Sequence, residues 1–142
     1  MPSFTPQKPY NALKTFADLT GYDTAAAFTV TGDVSVRVYA VVGAVAITST
    51  SGTTTLQVGT TAAPGSMLGT VTIDGSNLVA GDVWVDGTSG TVDSERGDSN
   101  WVHIGNGADI ILTRSVDDIT AGVLTIYVEW KPLSAGATIV AV

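Results

Sequence analysis

Few residues in this chain have the chemistry for a reactive site, and most of them share one window. Asp82, Asp86, Asp93, Glu95 and Asp98 fall within residues 82–98. A pair of carboxylates is the machinery of glycoside hydrolysis, and a cluster of carboxylate oxygens suits a hard cation such as calcium. The spacing fits neither well. No D-x-[DN]-x-[DN]-G run is present, as an EF-hand would need, and an aromatic content of 7% offers little with which to line a sugar groove. Acids that keep a turn-rich loop solvated are the simpler reading. His103 is the sole histidine. No Gly-x-Ser-x-Gly elbow supplies a serine for it to activate, so it reads as an ordinary strand residue. Cysteine is absent, which removes disulfides, thiolate metal sites and thiol nucleophiles. Gly105-Asn106-Gly107 lacks the helix and lysine of a phosphate-binding loop. The expectation is a protein that is not an enzyme and uses no cofactor or metal.

Two further features concern binding. Arg96-Gly97-Asp98-Ser99 spells the tetrapeptide through which adhesion proteins engage integrins. Short motifs recur by chance, however, and here Gly97 also serves a turn, with Asp98 or Ser99 bonding the following backbone. Of the three tryptophans, Trp130 alternates inward on its strand and belongs to the core. Trp84 and Trp101 flank the acidic window. Together with Asp86, Arg96, Gly97 and Asp98 they form a candidate exposed loop surface, and their rings are a candidate carbohydrate-stacking platform.

The elements that must position these residues are strands. Val34, Val36, Val38 and Ala40 alternate with Ser35, Arg37 and Tyr39, and Leu124, Ile126, Val128 and Trp130 alternate with Thr125, Tyr127, Glu129 and Lys131. Period-two alternation of this kind marks half-buried strands. Weaker strand candidates occupy 25–31, 44–50, 54–59, 69–73, 83–86, 100–105 and 109–114. Glycine, Asn, Asp and Pro punctuate them roughly every 8 to 12 residues, the spacing of a sandwich or barrel. Apolar residues nowhere hold helical spacing for three turns, so helix is limited to a short turn around 10–19. The fold expected is all-β: a jelly-roll-like antiparallel β-sandwich over residues 18–142, preceded by an extended N-terminal arm, residues 1–17.

The chain of 142 residues is 44% hydrophobic and only 13% charged. No apolar run approaches the ~20 residues of a membrane span, and the polar, proline-bearing start MPSFTPQKPYNALKTF has no apolar leader region. Apolar, charge-poor chains are typical of permanent subunit contacts, so self-association is expected. The net charge of −7 is uneven: residues 1–17 hold Lys8 and Lys14 and no acid, and the other four bases face all thirteen acids. So acidic a body repels phosphate, and no nucleic-acid partner is expected. The weakly basic arm, with Pro2, Pro6 and Pro9, suits an extended segment that lies across another chain. There Phe4, Tyr10, Leu13 and Phe16 would fill pockets, and Lys8 and Lys14 would supply charge.

FTVTGDVSVRVYAVV (28–42) and NGADIILTRSVDDITAGVLTIYVEWKPLSAG (106–136) resemble small head proteins of tailed bacteriophages, of the decoration or cement type. The resemblance implies a jelly-roll-like trimer on the outer surface of a capsid, at threefold or quasi-threefold positions. Its partners would be itself and the major capsid protein, its arms would reach across neighbouring shell subunits, and it would assemble in the host bacterial cytoplasm. The alternative from a different class is a receptor- or carbohydrate-binding module of a phage head or tail fibre.

Overall fold

The computed structural model describes residues 9–85, 88–90 and 101–142. Among them strand follows strand and no helix occurs. In chain order the strands are β1 (Tyr10–Phe16), β2 (Ala25–Thr31), β3 (Val34–Val42), β4 (Thr48–Ser49), β5 (Thr55–Gly59), β6 (Leu68–Thr72) and β7 (Val83–Val85). They continue with β8 (Thr88–Gly90), β9 (Val102–Ile104), β10 (Ile110–Ser115), β11 (Ile119–Ala121), β12 (Leu124–Pro132) and β13 (Thr138–Ala141). One sheet runs β1-β12-β3-β7-β8, with β9 also pairing with β3. The second runs β13-β2-β10-β5-β6, and β4 and β11 form a separate ribbon. Every pairing is antiparallel. The arrangement is consistent with a β-sandwich.

The two strongest sequence patterns become the centre of the first sheet. β3 and β12 pair without a register shift from Val42↔Leu124 to Val34↔Pro132. Val34, Val36, Val38 and Ala40, with Leu124, Ile126, Val128 and Trp130, all point into the core. Phe28, Val30, Leu56, Val58, Ile110 and Leu112 from the second sheet, and Ile139 from β13, join the same apolar cluster. Full burial of each such side chain contributes about 1.5–3 kcal/mol. That sum is what sets the strand faces.

The N-terminal segment differs from expectation. Residues 10–16, assigned to an arm with at most a helical turn, form β1 and pair with β12 from Tyr10↔Trp130 to Phe16↔Leu124. The alternation that would have marked this strand is diluted because Lys14 occupies one of its inward positions. Ala12 and Phe16 do pack on the core, half-buried. The apolar stretch 44–50 shrinks to the two-residue β4. β13 escaped notice because it has only one fully inward residue, Ile139.

Two glycines are required by close approach. A Cβ on Gly59 would stand 2.1 Å from the Ala63 carbonyl oxygen. Gly122 has φ +146, and its Cβ would meet Ile47 Cγ1 at 2.8 Å. The loop between β1 and β2 is fastened by Tyr22, whose hydroxyl donates to the Leu112 carbonyl at 2.9 Å and accepts from the Ala25 N–H at 3.1 Å. Arg114, its side chain 16% exposed, donates to the Asp117 carbonyl at 2.8 Å and to Asp23 Oδ1 at 3.3 Å. Asp117 and Asp118 are thus part of a turn braced by Arg114.

Candidate functional site

Of the acidic window only Asp82 lies among the described residues. Asp82 is buried, 3% exposed, and its carboxylate accepts the Val79 N–H at 3.2 Å. Asp86, Asp93, Glu95 and Asp98 lie outside the described residues, as do Arg96 and Gly97 and with them the whole Arg96-Gly97-Asp98-Ser99 motif. His103 is exposed on β9, opposite Ser35.

Trp84 corrects the sequence reading. It is fully buried, 0% exposed, and belongs to the core instead of an exposed loop surface. The reason is register: β7 sets Trp84 opposite Ala40, an inward position of β3, so its ring must point inward as well. Its Nε1 has no hydrogen-bond partner among the described residues. Trp101 does lie at the surface, 37% exposed, on the outer face of the first sheet. Arg37 Cζ lies 5.1 Å and Lys131 Nζ 4.7 Å from its ring centroid, within cation–π range. A two-tryptophan stacking platform therefore does not form.

What the first sheet does present outward is a short row of paired side chains. Arg37 and Glu129, cross-strand partners on β3 and β12, form a salt bridge at 2.6 Å. The next outward pair, Tyr39 and Tyr127, stack with centroids 4.8 Å apart and planes within 8°. A shallow groove of about 400 Å³ runs between this pair and Asn11 and Leu13 of β1. Partly exposed, with the two side chains 32% and 21% accessible, the ion pair adds little stability; its effect is to leave this face with fixed, locally neutralised charge.

The residues expected to contact a shell are placed by β1. Phe4 and Lys8 lie outside the described residues. Tyr10 stacks on Trp130 with centroids 4.8 Å apart and remains 53% exposed. Leu13 projects outward, 55% exposed. Phe16 meets Tyr22 edge-on at 5.4 Å, and Lys14 lies over the Phe16 ring at 5.5 Å while its ammonium donates to the Val142 carbonyl oxygen. That bond joins the two sheets across their open side, because β1 and β13 lie next to each other there.

Sequence reasoning missed the other half of this side. Val140, 61% exposed, and Val142, 60% exposed, come from β13 and its end. Leu133, 53% exposed, borders with Tyr10 an open groove of about 610 Å³. The signal was present: Thr138, Ile139 and Val140 are β-branched and follow the turn at Gly136, but four residues are too few for a periodicity to stand out.

Negative charge gathers at the ends of the fold. Among the described residues every acid except Glu129 lies in a loop: Asp33 and Asp109 at one end; Asp18, Asp23, Asp74, Asp82, Asp117 and Asp118 at the other. Compared with known protein families, curated proteins and solved structures, the chain has no match.

Proposed function

We propose that this chain is a structural virion protein: a decoration, or cement, protein that sits as a homotrimer on the outer surface of a phage capsid and clamps the major capsid proteins. The observation that carries an assembling role is the distribution of polarity just described. Acids collect in the end loops, and large apolar side chains remain exposed along one side, in a chain that already has a full core. Apolar groups left at the surface in a contiguous patch mark places where another protein packs.

The sandwich is proposed to be a jelly roll, and the support is its nested strand pairing. Taking β1, β2, β3, β5, β6, β7, β10 and β12 as the eight principal strands, the first pairs with the last, the second with the seventh, the third with the sixth and the fourth with the fifth. A long antiparallel ribbon rolled into two sheets has this nesting. Such folds serve lectins as well as viral shells, so the fold by itself does not choose the function. Resemblance of 28–42 and 106–136 to phage head proteins favours the shell. Clamping would act by mass action, since a protein that binds the assembled lattice and not its broken form stabilises the lattice.

The test is co-sedimentation of the purified protein with capsids that lack it, followed by heating the shells with and without it. Saturable binding and a raised disruption temperature are expected. Absence from the sedimented shells would overturn the proposal, and binding to glycans instead would turn it toward the fibre-module reading.

A further inference from the structure

We infer that the side of the fold formed by β1 and β13 is the contact between copies of this chain. The inference deepens the proposal above, on which the expectation of self-assembly rests, by assigning the surface.

The first observation is how differently the two sides of the molecule treat their sheet edges. An edge strand exposes unpaired N–H and C=O groups, and proteins blunt such edges with short strands, bulges or charge. On one side the edges are blunted: β8 has three residues, and β6 meets β5 with a register shift between Leu56 and Val58. On the other, β1 holds an unbroken register over its whole length, without proline, and pairs only with β12; β13 pairs only with β2. The sole charged residue on these two strands is Lys14, and its ammonium is engaged by the Val142 carbonyl oxygen in the seam. Among the described residues nothing covers this edge, and an open edge of this kind is either an aggregation hazard or a docking edge.

The second observation is what surrounds that edge. Tyr10, Leu13, Leu133, Val140 and Val142 are all more than half exposed: Tyr10 and Leu133 share one groove, Leu13 stands on the outer face of β1 and Val140 on that of β13, so the two edge strands carry apolar groups on both of their flanks. They make up most of the exposed large apolar residues among the described residues.

Charge selects the occupant. A basic partner would be drawn to the acidic loops at either end, where the Asp residues gather. β1 and β13 carry no acid, and the one carboxylate beside β1, Glu129, is paired with Arg37, so a second copy with the same net charge of −7 can approach this side without an uncompensated opposing carboxylate. Contact there also places the acidic ends of neighbouring copies away from the interface, where solvent screens them.

The experiment is the oligomeric state of the full chain by analytical ultracentrifugation. It compares wild type, Leu13→Glu/Val140→Glu, and a control, Val116→Glu, at an equally exposed valine in the loop after β10. Both mutated side chains of the double variant stand in solvent within the single chain, so its fold is kept, which a thermal melt verifies. Wild type and control are expected to assemble, and the double variant to associate at least about a hundredfold more weakly. Hydrogen exchange provides the second readout: amides of Tyr10–Phe16 are expected to slow as protein concentration rises. A wild type that stays monomeric at about 100 µM, or a double variant that assembles like wild type, overturns the inference. Capsid binding by a monomer would sink this surface and leave the decoration reading standing; assembly through this side without capsid binding would do the reverse.

Discussion

Tyr22 should make the stability of this protein fall at alkaline pH in a way that a single substitution removes. Its half-buried hydroxyl is held between the Leu112 carbonyl at 2.9 Å and the backbone of Ala25 at 3.1 Å. Burial disfavours the phenolate and pushes the pKa from 10.0 up to about 12; the Ala25 bond opposes this and the Asp23 charge adds to it. The folded chain therefore holds this proton more tightly than the unfolded chain does. The resulting stability is fully present below pH 10 and is lost as pH rises through about 12. Each tenfold change in proton affinity is worth about 1.4 kcal/mol, which sets an upper bound of about 2.7 kcal/mol. Solvent screening at a half-buried site lowers the expectation to about 1 kcal/mol. At neutral pH, Tyr22→Phe leaves the Leu112 carbonyl and the Ala25 N–H without this partner and should cost about 1–3 kcal/mol. Urea unfolding of both proteins from neutral to alkaline pH measures the gap between them, which should shrink by about 1 kcal/mol across the tyrosine titration. A constant gap, or ultraviolet absorbance showing all four tyrosines ionising together near their ordinary pKa, would refute the reasoning.

Other substitutions probe the fold at separate points. Gly59→Ala sets a methyl against the backbone oxygens of Ala63 and Pro64, at 2.1 and 2.5 Å, so the loop after β5 must move; a loss of at least about 2 kcal/mol in urea unfolding is expected. Trp84→Ala should remove about 3–5 kcal/mol as a core cavity, and Trp101→Ala less than about 1 kcal/mol; equal losses in the same assay would contradict their placement. Asp74 accepts bonds from the Ser76 hydroxyl and N–H and from the Asn77 N–H, and these hold its pKa below the ordinary 3.8. Its contribution is present above the ordinary carboxylate value and lost as pH falls below it. A carboxyl NMR titration should find the midpoint below 3.8 in wild type and moved upward in Ser76→Ala; no movement would count against the turn geometry.

The sequence by itself determined the all-β class and the faces of its two central strands. Strict alternation along β3 and β12 leaves one arrangement that buries five apolar side chains from β3 and four from β12 and keeps Arg37, Glu129 and Lys131 at the surface, because a shift of one residue would invert both faces. It also marked some of the turns: Gly32, Gly75 and Gly107 adopt positive φ, whereas Gly52, Gly65 and Gly105 do not. Tertiary structure decided the rest. Whether Tyr10–Phe16 is an arm or a strand depends on β12, more than a hundred residues away, offering an edge; no local property of YNALKTF contains that fact. Trp84 was placed by its pairing with Ala40, and a tryptophan beside an acidic loop looks the same in sequence whether it points in or out. The candidate interface is the clearest case. Leu13 and Val140 are isolated apolar residues along the chain, and they come to flank the same pair of edges only because β1 and β13, each the last strand of its own sheet, end up side by side. Long-range pairing is chosen by the burial of the whole core, so the composition of an edge becomes a property of the molecule only once both sheets are in place.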